Sequence, residues 1–226
     1  MTYEELDNII EIRTSNRLSG VDPLFWPKYD RGTWRAMHDY PVTPGFLKTL
    51  MDHIPNRNIM IQAGGNCGQY VREYAKWFNT VYTFEPDPIN FMCLTLNCPR
   101  NVIKTQACLG KEKIFIELDG HVSDDGLEAG GMHVGQKGNI PTVRVDDLNL
   151  PGCDLIQLDI EGYEYFALQG AVRTIEQYHP VIIVEWFDAW SARYGVDKTT
   201  FDKFLSDRGY QEIMHEHSDT VYKYQP

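Results

Sequence analysis

A glycine loop and a set of acidic residues carry most of the chemical information in this sequence. Gly64, Asn66 and Gly68 form a G-x-N-x-G run, in which glycine lets the backbone turn tightly and approach a ligand with no side chain between them. Glu85 follows 21 residues after Gly64. At the end of a neighbouring strand, such a carboxylate can accept both hydroxyls of a ribose. The dinucleotide fingerprint G-x-G-x-x-G would need glycine at 66 and 69, where this chain has Asn66 and Gln69. Asp159, Glu161 and Glu185 add further negative charge at strand ends. Acidic tips tolerate a sulfonium cation better than a pyrophosphate, so S-adenosylmethionine is the expected cofactor and a nicotinamide dinucleotide the alternative.

Methyl transfer from a sulfonium is an in-line displacement, helped by alignment and by a base that takes the nucleophile's proton as the bond forms. Asp159 and Glu161 are two apart at a strand end and so lie near each other. One of them is the expected base. His133, in a glycine-rich stretch, reads as a solvated loop histidine, or as a base if that stretch covers the pocket. Asp159, Glu161 and Glu185 could instead gather a divalent metal, a possible but not favoured reading. His215 and His217 have a spacing found in zinc sites but no third ligand nearby, and read as structural. Trp186 and Trp190 suit either core packing or stacking on a sugar.

The elements that must position these residues alternate. Residues 58–62 form an apolar run stopped by Gly64-Gly65, and Tyr70, Val71, Tyr74, Ala75 and Phe78 recur at helical spacing. Strands follow at 80–84, 102–108, 155–160 and 181–186, with helices at 88–97, 163–178 and 199–208 and a terminal hairpin at 210–214 and 221–224. The expected fold is α/β, a doubly wound, seven-stranded, mostly parallel sheet with an antiparallel end. Residues 111–148 break the rhythm as an inserted hairpin plus mobile loop. Residues 1–57 read as an arm and possible lid on a domain spanning 58–226. Within the arm, 2–13 is an expected helix and 21–45 an irregular loop anchored by Phe25, Trp26, Trp34 and Tyr40.

Composition narrows the partners. Hydrophobic residues make up 42% and charged residues 23%, which fits a globular chain and not a disordered one. The net charge of −11 argues against a phosphate-neutralising surface and so against nucleic acid. Glu4, Glu5 and Asp7 stand where a secretory signal would be basic, and no apolar run reaches the ~18 residues of a membrane span. A soluble, cytoplasmic protein is expected. Cys67, Cys93, Cys98, Cys108 and Cys153 are odd in number and lack C-x-x-C, consistent with reduced thiols.

Three segments resemble the FkbM-type methyltransferases among the class I S-adenosylmethionine-dependent enzymes, which have a Rossmann-like fold. They are Gln62-Ala63-Gly64-Gly65-Asn66-Cys67-Gly68, Phe84-Glu85-Pro86-Asp87-Pro88, and Leu158-Asp159-Ile160-Glu161-Gly162-Tyr163-Glu164. The resemblance runs over about 58–188, and its second and third segments are the specific ones. It implies a seven-stranded sheet with its last strand antiparallel, and O-methylation of a hydroxyl on a small or glycan-like acceptor. By position, Gln62, Gly64, Asn66 and Gly68 would lie along the methionine part and Glu85 would hold the ribose. Asp87 and Pro88 would border the adenine, with Gln106 at the adenine edge and Asp159 at the reactive end. The family usually opens the first motif with Asp, whereas Gln62 can hydrogen-bond but cannot pair ionically with the cofactor's ammonium. A nicotinamide-dependent oxidoreductase and a non-catalytic nucleoside-binding module remain the other two readings.

Overall fold

The computed structural model describes residues 8–14, 23–30, 33, 44–120, 122–123, 126–127 and 129–226. The first half comprises β1 (Ile10–Arg13), β2 (Leu24–Pro27), α1 (Pro44–Asp52), β3 (Ile59–Ala63), α2 (Gln69–Tyr74), β4 (Thr80–Phe84), α3 (Pro88–Asn97) and β5 (Val102–Thr105). The middle holds short strands: β6 (Cys108–Leu109), β7 (Phe115–Asp119), β8 (Val122–Ser123), β9 (Gly126–Leu127), β10 (His133–Lys137) and β11 (Ile140–Val143). The last part runs β12 (Leu155–Leu158), α4 (Glu164–Gln169), α5 (Val172–Tyr178), β13 (Val181–Glu185), α6 (Asp188–Ser191), α7 (Lys198–Ser206), β14 (Tyr210–Glu216) and β15 (Asp219–Tyr224).

Seven strands form the central sheet in the order β14-β15-β13-β12-β3-β4-β5. The five from β13 to β5 are parallel, and β15 runs antiparallel to both its neighbours, so the sheet is mixed. Strands buried on both faces need apolar residues at every position, and Val181, Ile182, Ile183 and Val184 of β13 are all buried. Alternate residues enter two cores. Ile61, Ile156 and Ile182 pack with Leu168, Ile175 and Phe201, while Met60, Leu155 and Ile183 pack with Leu50 and Val71. Ala63 lies opposite both Phe84 and Leu158, and Leu158 opposite Val184. Four strand tips are therefore level, and the chain leaves all of them at one edge. The strand order reverses between β3 and β12, where open α/β sheets form a ligand crevice.

Several local expectations are corrected. The helix expected over 2–13 is, where described, largely strand: Ile10 and Ile12 alternate with Glu11 and Arg13, and β1 pairs antiparallel with β2. The stretch read as irregular loop over 21–45 contains β2, which docks on α3 where Asn97 bonds both the N–H and the carbonyl of Phe25 at 2.8 Å. Trp34 and Tyr40 lie outside the described residues. The strand expected over 102–108 ends at Thr105, and Cys108–Leu109 joins a second, four-stranded sheet with β7, β10 and β11. The insertion thus contains more sheet than a single hairpin. The helix expected over 163–178 breaks at Gly170, where a Cβ would stand 2.1 Å from the Gly110 carbonyl oxygen. Asp146 restarts it as α5 by accepting from the backbone N–H groups of Arg173 and Thr174. Among the described residues no helix is long and apolar enough to cross a membrane.

Asp30 ties the N-terminal segment to the insertion. It is fully buried, and its carboxylate accepts from Trp26 Nε1 at 2.7 Å and from the Ala129 N–H at 2.9 Å. Removing it strands two donors in a buried setting. Asp30→Ala is expected to destabilise by about 2 to 4 kcal/mol, read from the urea midpoint, whereas Ile12→Ala at an exposed position shifts it little. Equal midpoints for Asp30→Ala and the parent would refute this linkage.

Candidate active site

The turn after β3 brings three strand tips into backbone contact. The N–H groups of Gly64 and Gly65 both donate to the Phe84 carbonyl, at 3.1 and 3.0 Å, and the Asp159 N–H donates to the Ala63 carbonyl at 3.1 Å. Gly64 has φ +83°, and a Cβ there would lie 1.8 Å from the Asp159 carbonyl oxygen. Any other residue would push β3 and β12 apart. Gln62 lies buried beneath this turn: its Nε2 donates to the Ala63 and Gly64 carbonyls at 3.1 and 3.0 Å, and its Oε1 accepts from the Thr83 hydroxyl. Its hydrogen-bonding capacity goes into bracing the loop.

Over the level strand tips opens a cavity of about 1320 Å³, larger than the ~300–1,000 Å³ of common ligand sites and roomy enough for two ligands. Gly64, Asn66 and Glu85 line one side, and Asp159, Glu161 and Glu185 the other, with His133 also on the wall. Glu85 is held rigidly, its two oxygens accepting from the N–H groups of Asn66 at 2.7 Å and Asp87 at 2.9 Å. Burial pushes its carboxyl up to about 8, against the pull of those N–H groups. Gln69 and Gln157 also line the cavity, nine-tenths buried, each with its Oε1 lacking a hydrogen-bond partner. A buried unpaired acceptor costs stability unless something occupies the site. Sequence reasoning missed both. A glutamine inside the apolar β12 was the available signal.

The acids on the other side act on one another. Burial, then the Glu185 charge, holds Asp159 well above the ordinary carboxylate range. Across the β13–β15 pairing, Asp219 is pushed up to about 7 by burial and by Glu185. Ser218 Oγ donates to Glu185 Oε1 at 2.8 Å. Below them the buried Glu164 accepts from the N–H groups of Ile160 and Gly162, fixing the loop that carries Glu161. Glu161 and Gly162 both have positive φ, and a Cβ on Gly162 would come within 2.5 Å of the Trp190 carbonyl carbon.

Other predicted residues lie off the cavity wall. Asp87 caps α3 by accepting from the N–H groups of Ile89 and Asn90. Gly68, at φ +85°, ends the loop against Cys98. Pro88 and Gln106 border a separate cavity of about 340 Å³ that shares Pro86 with the large one. Trp186 and Trp190 reach the main cavity, as do His215 and His217, which were expected to be structural. His215 Nδ1 also lies 3.1 Å from Thr220 Oγ1 across the hairpin. Among the described residues, no group of three or more His, Cys, Asp or Glu side chains is gathered as a metal site requires.

Known proteins resemble this chain in sequence and in fold. The profile of the methyltransferase FkbM domain matches residues 62–212. The hexuronic acid methyltransferase AglP of Haloferax volcanii is 24% identical over 200 residues, which cover 84% of this chain and 78% of that protein. Among solved structures, methyltransferase FkbM from Methylobacillus flagellatus KT is similar with a TM-score of 0.51 at 20% identity. The match covers 74% of this chain and 44% of that one, so the chain spans less than half of its length, and the likeness is one of fold.

The raised carboxyls set a pH dependence. Glu85, Asp159, Glu164 and Asp219 all hold their protons more tightly folded than unfolded. The stabilising contribution of Glu85, Glu164 and Asp219 is therefore complete below about pH 4 and is lost as pH climbs through about 7 to 8, and that of Asp159 is lost above the ordinary carboxylate range. Scanning calorimetry of the ligand-free protein should show the melting temperature falling between pH 6 and pH 9, and falling less in Glu85→Gln. An identical slope in the variant would contradict the assignment.

Proposed function

The chain belongs to the FkbM methyltransferase family, and from that premise we propose that it transfers the methyl group of S-adenosylmethionine to a hydroxyl of a small or glycan-like acceptor. The observation that carries this reading is one cavity, at the strand-order reversal, with a fixed carboxylate on one side and Asp159 and Glu185 on the other. A relative whose name gives hexuronic acid as its acceptor supports a sugar. In this reading the sheet is doubly wound, residues 58–226 are the catalytic domain, and 111–148 are an insertion touched by the arm at Asp30 and Thr33. Five free cysteines are consistent with a reducing compartment such as the cytoplasm.

The residues present fit such a cofactor. Glu85, its oxygens already oriented by two N–H groups, accepts the ribose hydroxyls through its remaining lone pairs. The unpaired Oε1 atoms of Gln69 and Gln157 suit an ammonium, which offers three donors, and they take the place of the family's usual acid at position 62. Gly64 and Asn66 lie along the methionine part, Gly68 shapes their loop, and Asp87, Pro88 and Gln106 border the adenine end. When bound, the cofactor supplies a methyl group made electrophilic by a sulfonium. Asp159 keeps its proton because burial and the Glu185 charge disfavour its ionised form, and a positive charge nearby reverses that balance. The freed carboxylate takes the proton of the acceptor hydroxyl as the new bond forms. Glu161 and His133 flank that position and orient the acceptor.

Thermal unfolding with S-adenosylhomocysteine tests the cofactor. At a hundred times Kd it stabilises by ~2.7 kcal/mol, a rise of ~5 to 11 °C, expected to vanish in Glu85→Ala. Asp159→Asn should keep that rise yet lose about 10²- to 10⁴-fold in methyl transfer. A rise with NADH alone would overturn the proposal.

A further inference from the structure

We propose that Arg193 selects an acceptor sugar that carries a carboxylate, an inference that rests on the methyltransferase reading above. Among the described residues it is the one arginine or lysine on the wall of the large cavity. Its guanidinium makes no hydrogen bond or ion pair with any described residue, although Asp159, Glu161, Glu185, Glu216 and Asp219 line the same space. An arginine left open beside several acids has its fork available to a ligand.

The segment that carries it is held in place. It follows α6 in the short 3-10 turn Ala192–Tyr194. On one side the Trp190–Ser191 backbone lies against Gly162, where any Cβ would collide with it, so the segment presses on the loop that bears Asp159 and Glu161. On the other, the Tyr194 ring packs edge-on against Tyr163 at 5.0 Å and its hydroxyl donates to the Val134 carbonyl at 2.8 Å, next to His133. The backbone at Arg193 is thus anchored between the acid loop and the strand carrying His133, and its side chain is exposed. Phe187 and Trp190, with ring centroids 4.1 Å apart, continue the same wall, and Phe187 is 40% exposed. An aromatic surface beside a guanidinium fork suits the apolar face and the anionic group of one acidic sugar.

Charge decides between anions. One guanidinium compensates one carboxylate in a bidentate pair, whereas a phosphate carries about −1.5 to −2 at neutral pH and would leave uncompensated charge among the acids. The carboxylate anchors the ring on Arg193, and a hydroxyl of that sugar meets the Asp159–Glu185 pair.

The test compares methyl transfer to a glucuronate-terminated disaccharide, its glucose-terminated counterpart and a glucose-6-phosphate-terminated one, using the parent protein, Arg193→Gln and Arg193→Lys. The parent should favour the uronate. Arg193→Gln should raise KM for it by about 10- to 100-fold while KM for the neutral probe and kcat stay within about twofold, and Arg193→Lys should restore only part, because it lacks the fork. Equal changes for the acidic and neutral probes, no change for either, preference for the phosphate, or no transfer to the uronate overturns the proposal. S-adenosylhomocysteine binding, measured by calorimetry on all three proteins, separates the two levels. If it is retained while selectivity fails, only the Arg193 role falls; if the parent does not bind it, the methyltransferase reading falls as well.

Discussion

The missing side chain at Gly64 is the constraint on which the site depends. With only a hydrogen at that position, the β3 turn can lie against the Asp159 carbonyl and direct two N–H groups at Phe84. Three strand tips then share one small region, and Glu85 and Asp159 face a common cavity although they come from opposite sides of the strand-order reversal. Around this contact the remaining polar groups act as braces. Gln62 spends its amide on the loop carbonyls, Glu164 gathers the N–H groups of the Asp159–Gly162 turn, and Asp87 caps the helix that leaves the Glu85 strand.

That convergence has an electrostatic consequence. Several carboxyls are drawn out of water and toward one another, and the ligand-free protein answers by keeping protons on them. Such a cavity favours cations and hydroxyl donors. It also gives special weight to a positive side chain on its wall, and among the described residues Arg193 is the one arginine or lysine there.

Much of this was legible in the sequence. The seven strands, the glycine turn and the acids at their ends follow from apolar runs and from the rule that ligands gather where parallel strands end, which puts Glu85, Asp159, Glu161 and Glu185 on one edge. What escaped depends on partners distant in sequence. Gln62 braces its loop only because Thr83 stands opposite it in β4, and Gln69 and Gln157 matter because nothing else meets their oxygens. The break at Gly170 reflects the Gly110 carbonyl, sixty residues earlier. Arg193 follows no motif. Its place on the wall comes from how α6 packs on Gly162.

The most direct measurement is a crystal structure of the protein with S-adenosylhomocysteine bound. The account predicts the ribose hydroxyls on Glu85, the amine facing the Oε1 atoms of Gln69 and Gln157, and the sulfur turned toward Asp159 and Glu185. A ligand whose ribose sits elsewhere, leaving Glu85 bonded to the Asn66 and Asp87 amides alone, would contradict it.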